Sequence, residues 1–182
     1  MHFSLLLVVF LFTSCGSIVG LVYGVRKPGG VTYDELIKFK NEVLSQSDSV
    51  CFARMESDAE WSVPEPFLFD AEGNAIDFRN AENPGCSAPL SDFIANLRQN
   101  QIPAKCSLEN MASFTRSIHK TPCGDSAFVV PDADYHLFIT WATWTGKLVY
   151  RQRVHEWLDA AHHNAQARIA VYLVNMDQVV CR

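Results

Sequence analysis

The cysteines are the residues of this sequence with the clearest capacity for chemistry. Five of them lie beyond the N-terminal segment: Cys51, Cys86, Cys106, Cys123 and Cys181. Cysteine thiolates attack disulfides, form lasting bridges in oxidising compartments and ligate metals. None of the five belongs to a Cys-x-x-Cys pair, the spacing typical of dithiol oxidoreductases and zinc ribbons. We therefore expect the cysteines to form structural disulfide bridges rather than to catalyse thiol exchange.

The pairing of these cysteines is open at the level of sequence. Five is an odd number, so at least one thiol is free or pairs between chains; five choices of the odd residue and three pairings of the rest leave fifteen arrangements. A bridge from Cys106 to Cys123 is favoured over a catalytic use of Cys123, because export to an oxidising compartment promotes disulfides. It would close a loop around the helix predicted between them and stabilise the fold by about 3 kcal/mol. Cys86 would then be available to Cys51 or Cys181.

A catalytic use of the cysteines is the alternative. Cys86 stands just before a predicted helix, where a thiol pKa is most easily lowered, so an oxidoreductase would pair Cys86 with Cys106 or Cys123. Cys123 and His119 are the only cysteine and histidine close together in sequence, as a nucleophile and its base would be. No Gly-x-Ser-x-Gly elbow and no Gly-rich phosphate loop occurs.

The histidines do not predict a metal site. His155 and His162 share one face of a predicted helix, but a spacing of seven residues places them about 10 Å apart along its axis, too far to share one ion. His119 and Cys123 lie near one turn and lack further ligands nearby in sequence. We read these residues and His163 as solvated surface groups, and we expect neither a metal nor another cofactor.

The secondary structure that must position the cysteine and histidine side chains is predicted most clearly in the last third of the chain. His136 to Trp144 is a nearly continuous apolar and β-branched run, as expected for a strand covered on both faces. A helix is predicted from about Lys147 to His163, and Arg168 to Asn175 is a second buried strand. Strand, helix and strand at this spacing predict a parallel βαβ unit with a right-handed crossover.

The first two thirds predict shorter elements. Thr32 and Glu35 form a capping box for a helix that continues to about Ser45. Further predicted elements are a strand over Ser49 to Met55, a hairpin over residues 67–78 with its turn at Gly73, a helix from near Ser87 or Pro89, and a helix from Ser107 to about His119.

The segment from Phe138 to Gly146, with its Trp-Ala-Thr-Trp-Thr-Gly, resembles the active-site strand and turn of thioredoxin-like proteins. Tyr172 to Asp177 is similar to the family's next strand, and the resemblance covers roughly a quarter of the chain. It implies a three-layer α/β sandwich, incomplete or divergent, with an extra N-terminal helix and hairpin. Either the family's later strands are supplied by the N-terminal half, for example by the 67–78 hairpin, or the fold is only partly thioredoxin-like.

The same resemblance implies a loss of the family's redox chemistry. Thr145 and Leu148 stand where the family has its two cysteines, so no residue is expected to be catalytic. Thr145 would then simply cap the helix. Because open α/β sheets bind ligands at the carboxyl ends of their strands, we expect a binding site there. Its predicted residues are Trp144, Thr145, Gly146, Asn175 and Asp177.

The N-terminus is typical of an export signal. Residues 1–25 include an apolar run from Phe3 to Phe12, followed by a lipobox-like Phe-Thr-Ser-Cys that ends in Cys15, the expected lipidation site. An uncleaved anchor spanning Phe3 to Val25 and a plain cleaved signal are the alternatives. Residues 26–31 would form a tether, and residues 32–182 the domain.

Composition narrows the function further. The 182 residues carry a net charge of −5, with 48% hydrophobic and 19% charged residues, as in globular proteins. The sequence has no run of lysine or arginine, so a nucleic-acid partner is not expected. The sequence therefore predicts an exported, lipid-anchored, redox-inactive thioredoxin-like protein of the cell envelope or periplasm. It would contact the membrane through its lipid or N-terminal helix and bind a protein or peptide partner.

Overall fold

A computed structural model describes residues 24–44, 48–53, 61–78, 90–98, 110–124 and 126–181. These residues form an α/β fold around a five-stranded mixed sheet. Its strands and those of a small second sheet are β1 (Gly30–Val31), β2 (Ser49–Ala53), β3 (Pro66–Asp70), β4 (Ile118–His119), β5 (Tyr135–Trp141), β6 (Ile169–Asn175) and β7 (Gln178–Val179). The helices are α1 (Tyr33–Val43), α2 (Leu90–Ala95), α3 (Met111–Arg116), α4 (Lys147–Val149) and α5 (His155–His162).

The parallel βαβ unit predicted near the C-terminus is confirmed. The sheet order is β3-β5-β6-β2-β4, and β5 runs parallel to β6 from the pair Tyr135↔Ile169 to the pair Trp141↔Asn175. The connection between them is helical without a break from Lys147 to His162, because a π-helical turn over Tyr150–Val154 joins α4 to α5. The strand predicted to reach Trp144 ends at Trp141, since Thr143–Thr145 forms a 3₁₀ turn.

The sheet is covered on both faces, as the unbroken apolar run in β5 predicted. Every residue of β5 is buried. Leu137 and Trp141 face a core that includes residues of α1, α2 and α5, whereas Phe138 faces a second core that contains Phe114 of α3. This alternation places helices in a layer on each side of the sheet.

The N-terminal helix and strand form as predicted. The Thr32 side chain accepts a hydrogen bond from the Glu35 backbone N–H, and the Thr32 backbone N–H donates to the Glu35 carboxylate at 2.9 Å. Helix α1 ends at Val43 rather than Ser45. Strand β2 pairs parallel with β6 and carries the buried Cys51.

The middle of the chain matches the predictions in part. The 67–78 hairpin has its turn at Gly73, but its second arm is reduced to one bridge between Phe69 and Ala75. The helix predicted from Ser107 to His119 begins at Met111 and ends at Arg116, because Ile118–His119 pairs antiparallel with β2 as β4. Residues 101–109 and the predicted helix start near Ser87 or Pro89 lie outside the described residues.

The tether residues 26–31 contain a strand that the sequence did not predict. Strand β1 pairs parallel with β7, and the Val180 backbone N–H donates to the Val31 carbonyl at 2.9 Å. A Cβ atom at Gly30 would come within 2.9 Å of the Val180 side chain, so a larger residue there would force Val180 to shift. The predicted leader lies outside the described residues up to position 23, and no helix within the described part has the length and apolarity to cross a membrane.

Candidate functional site

The turn after β5 is held by buried hydroxyl groups. The Thr145 hydroxyl donates to the Ala142 carbonyl at 2.7 Å and contacts the Tyr150 hydroxyl. Tyr150 donates to the same carbonyl at 2.8 Å and accepts from the Ala142 N–H at 2.7 Å. Burial raises the pKa of Tyr150 to about 12, so the phenol stays protonated and can donate. Thr145 is therefore a structural residue of the turn and not a surface nucleophile.

Gly146, not Thr145, occupies the N-cap of the following helix, so the predicted capping role of Thr145 is wrong. The Gly146 φ angle is +85°, a left-handed conformation that side chains rarely adopt. The Thr145 side chain forms no capping hydrogen bond, because it points back to Ala142.

Asn175 and Asp177 hold the same turn from the end of β6. Asp177 accepts hydrogen bonds from the Thr143 backbone N–H at 2.8 Å and from the Thr143 hydroxyl at 2.7 Å. The Asn175 side-chain amide donates to Asp177 at 2.9 Å, and its carbonyl oxygen accepts from the Asp177 N–H at 3.1 Å. Both side chains are buried. These hydrogen bonds thus connect the carboxyl ends of β5 and β6 and fix the turn. Of the five residues predicted to bind a ligand, only Trp144 and Gly146 line the adjacent groove.

A groove with a volume of about 830 Å³ lies beside the turn. It is lined by residues of α1, by residues of the turn and the following helix from Thr143 to Arg151, and by residues of the 24–31 segment. Phe39 also lines it and stacks on Trp141 with ring centroids 6.1 Å apart. The half-buried Trp144 adds a second aromatic surface.

The groove collects positive charge. Its cationic residues come from three separate segments: Arg26, Lys27, Lys38, Lys147 and Arg151. No cationic cluster is visible in the sequence, because these residues are dispersed along the chain and converge only when α1 packs beside α4. The adjacent pair Arg26 and Lys27 was the only signal within the sequence.

The two glutamates that line the groove are already engaged. Glu42 pairs with Lys147, and this hydrogen bond, followed by the nearby charges of Lys147, Lys38 and Arg151, lowers the pKa of its carboxyl. Hydrogen bonds from the Thr32 backbone and hydroxyl lower the pKa of the Glu35 carboxyl, which completes the capping box. Both glutamates are therefore ionised at neutral pH, and their fields oppose those of five cations.

The cysteines are placed differently from the expected bridge. Cys123 forms a disulfide with Cys181, with Cα atoms 5.7 Å apart, so the favoured pairing of Cys106 with Cys123 is wrong. Cys51, a predicted bridge candidate, is a free and fully buried thiol, and burial raises its pKa. It therefore stays protonated and is unsuited to nucleophilic attack. Cys15, Cys86 and Cys106 lie outside the described residues.

The histidines are dispersed. The exposed His162 pairs with Asp48 at 2.7 Å, and the His163 ring contacts the Asp159 carbonyl at 2.9 Å. Within the described residues, no group of three or more His, Cys, Asp or Glu side chains is arranged to hold a metal ion.

One buried histidine, His136, was not among the residues predicted from the sequence to have a chemical role. His136 of β5 is 3% exposed and stacks on Tyr172 of β6, with its Nδ1 atom 3.4 Å from the Tyr172 hydroxyl. Burial lowers the pKa of His136, opposed in part by Asp132 and Asp70. Burial also raises the pKa of Tyr172 to about 12. An imidazole inside an otherwise apolar run was the signal available in the sequence.

The groove beside the β5 turn is thus lined by five cations, two glutamates and two aromatic rings, and by no cysteine or histidine. No protein-family model, curated protein or solved structure matches the chain.

Proposed function

We propose that this chain is an exported, membrane-anchored binding module with a redox-inactive thioredoxin-like scaffold, and that the groove beside Trp144 binds an anionic ligand. The observation that carries the proposal is the convergence of five cations on this groove in a chain whose net charge is −5. A concave site with walls of one charge sign concentrates ligands of the opposite sign.

The scaffold part of the proposal is supported by the position of β3. This strand comes from the N-terminal half and lies antiparallel to β5, on the side opposite β6. It therefore fills the place beside the active-site strand that the family's later strands would otherwise occupy, which favours the first of the two alternatives raised by the sequence.

The non-catalytic part is supported by the turn itself. Thiol exchange requires a thiolate at the start of the helix, and here that position is the buried Thr145 hydroxyl held by Ala142 and Tyr150. Leu148 cannot resolve a mixed disulfide. The export part rests on the apolar N-terminal run and its lipobox-like end at Cys15.

Thermal unfolding of the purified full chain with a panel of soluble anions tests the binding activity. Inorganic phosphate, citrate and a short poly-glutamate peptide are suitable probes, with choline as the cationic control. Ligands that bind only the folded state raise the melting temperature as their concentration exceeds Kd. We expect at least one anion to stabilise the protein in a salt-dependent way, and charge removal at Lys38 and Arg151 to abolish the shift. An unchanged melting temperature with every anion would refute the binding site.

The alternative function is thiol–disulfide exchange through the exposed Cys123–Cys181 bridge, which is the described disulfide of the chain. Reduction of insulin by the purified protein, in the presence of a dithiol reductant, separates the two functions. Turnover above the reductant alone, lost in Cys123→Ser, would establish the enzyme. Activity equal to the reductant alone supports the binding module.

A further inference from the structure

We infer that the groove binds the phosphate-bearing headgroup of an anionic phospholipid, at the surface of the membrane that the N-terminal segment enters. This inference rests on the proposed function, because it names the ligand class of the same site. It is argued from the charge distribution, from the point at which the chain enters the domain, and from the aromatic lining.

The charge distribution would orient the domain on an anionic surface. The groove carries five cations and two glutamates, a net charge of +3, so the remainder of the chain carries −8 of the total −5. An anionic membrane attracts the groove and repels the other surfaces. Each lysine or arginine within a Debye length of about 10 Å of such a surface adds to this attraction. The groove is therefore the face that a membrane would select.

The N-terminal segment brings the groove to the membrane. Gly24, Arg26 and Lys27 line the groove, and Arg26 and Lys27 directly follow the apolar N-terminal stretch that ends at Val25. The Arg26 backbone N–H donates to the Trp144 carbonyl at 2.7 Å, which fastens the entering chain to the groove wall. A fully extended chain spans at most about 3.6 Å per residue, so a lipid on Cys15 would lie no more than about 32 Å from Gly24.

The aromatic lining suits the boundary between headgroups and acyl chains. Trp144 and Phe39 both line the groove, and both are half-buried. Tryptophan is enriched where one end of the ring meets an apolar phase and the other meets water. A headgroup phosphate among the lysines and arginines would leave the glycerol region of the lipid beside these rings. A free inorganic anion would use the cations alone.

The experiment is a titration of the full chain, in a non-ionic detergent, with short-chain phospholipids of eight or fewer acyl carbons, monitored by tryptophan fluorescence. The probes are phosphatidylglycerol, zwitterionic phosphatidylcholine and inorganic phosphate. We expect phosphatidylglycerol to bind at least tenfold more tightly than either of the others, with an affinity that falls as salt rises. A Trp144→Phe variant identifies the part of the signal that arises in the groove.

Matched charge variants locate the site. The double variant Lys38→Gln, Arg151→Gln removes two groove cations, and we expect it to weaken phosphatidylglycerol binding by about tenfold or more. The double variant Lys120→Gln, Arg153→Gln removes the same charge from exposed residues that do not line the groove, and we expect less than a twofold change. Equal losses in the two variants would overturn the inference.

The outcomes separate this inference from the proposed function. Inorganic phosphate that binds as tightly as phosphatidylglycerol would overturn the lipid assignment and leave an anion-binding groove. Equal affinity for phosphatidylglycerol and phosphatidylcholine would overturn the assignment to an anionic headgroup, and the thermal-unfolding panel of soluble anions would then decide the proposed function. Binding of no anion at all would refute both. Circular dichroism of each variant confirms that a loss of binding does not arise from unfolding.

Discussion

Thr143 and Asp177 are joined by two hydrogen bonds across 34 residues of sequence, and this contact fixes the turn that carries Trp144. The Asp177 carboxylate also accepts from Asn175, so three donors converge on one buried anion. Because a buried charge is stable only when its hydrogen-bonding capacity is satisfied, the arrangement is specific for a carboxylate.

Replacement of Asp177 by alanine should therefore destabilise the protein. The Thr143 N–H and the Asn175 amide would lose a charged acceptor, and we expect the free energy of unfolding to fall by about 2 to 4 kcal/mol. Urea unfolding followed by circular dichroism measures the change. Asp159→Ala, on an exposed residue of α5, is the matched control and should stay within about 0.5 kcal/mol of the wild type. A loss at Asp177 no larger than that of the control would contradict the structural role.

The disulfide predicts a large dependence of stability on redox state. Cys123 and Cys181 are 58 residues apart, so their bond restricts a long loop in the unfolded chain. We expect Cys181→Ser to lower the free energy of unfolding by about 2 to 4 kcal/mol. Peptide mapping without reduction should recover Cys123 joined to Cys181.

Under native conditions Cys51 should resist alkylation until the protein unfolds, since it is fully buried. Rapid labelling of Cys51 in the folded protein would be inconsistent with this core.

His136 predicts a pH dependence of stability. Burial lowers its pKa in the folded state, so between the folded and unfolded pKa values the unfolded chain binds more protons. Stability should therefore fall as pH decreases below about 6.5, the value for an unfolded histidine, with a slope of at most about 1.4 kcal/mol per pH unit for one proton.

The measurement is urea unfolding at pH 5 to 8 for the wild type and for His136→Phe. The variant should lose this part of the slope, whereas His155→Phe, at a partly exposed position of α5, should retain it. Identical slopes in the wild type and His136→Phe would show that another group titrates.

A restored Cys-x-x-Cys tests the thioredoxin-like scaffold. In the double variant Thr145→Cys, Leu148→Cys the two thiols would have the family's spacing, and because position 145 is buried we expect them to form a disulfide with each other rather than to reduce insulin. Thiol titration before and after reduction measures the bridge, and the single variant Leu148→Cys controls for a lone half-buried thiol. A folded double variant whose two thiols stay unpaired under oxidising conditions would count against the scaffold, and circular dichroism establishes that it is folded.

The sequence was most informative where hydrophobic burial dominates. The βαβ unit of β5, the α4 and α5 helix, and β6 was predictable because a strand buried on both faces leaves an unbroken apolar run. Apolar residues at helical spacing mark the buried side of the helix: Tyr150, Val154, Trp157, Leu158 and Ala161. The capping box was also predictable, since Thr32 and Glu35 interact within one turn.

Long-range contacts explain what the sequence did not reveal. Strand β1 forms only because β7 lies beside it, and two-residue strands have no periodicity to detect. The pairing of Cys123 with Cys181 depends on where the C-terminal segment returns to the domain. The groove cations are contributed by segments more than 100 residues apart, such as Lys38 and Lys147, so their convergence is a property of helix packing.

The pairing of β1 with β7 also has a mechanical consequence. A pull on the N-terminal segment would act along β1 and would have to shear both of its parallel contacts with β7 before the tether could separate. Just beyond β7, the covalent bond between Cys181 and Cys123 passes the remaining load to the loop after β4. A domain held at its N-terminal side would therefore resist tension through the β1–β7 pairing and the Cys123–Cys181 disulfide together. Reduction of the disulfide should lower the force needed to separate the tether.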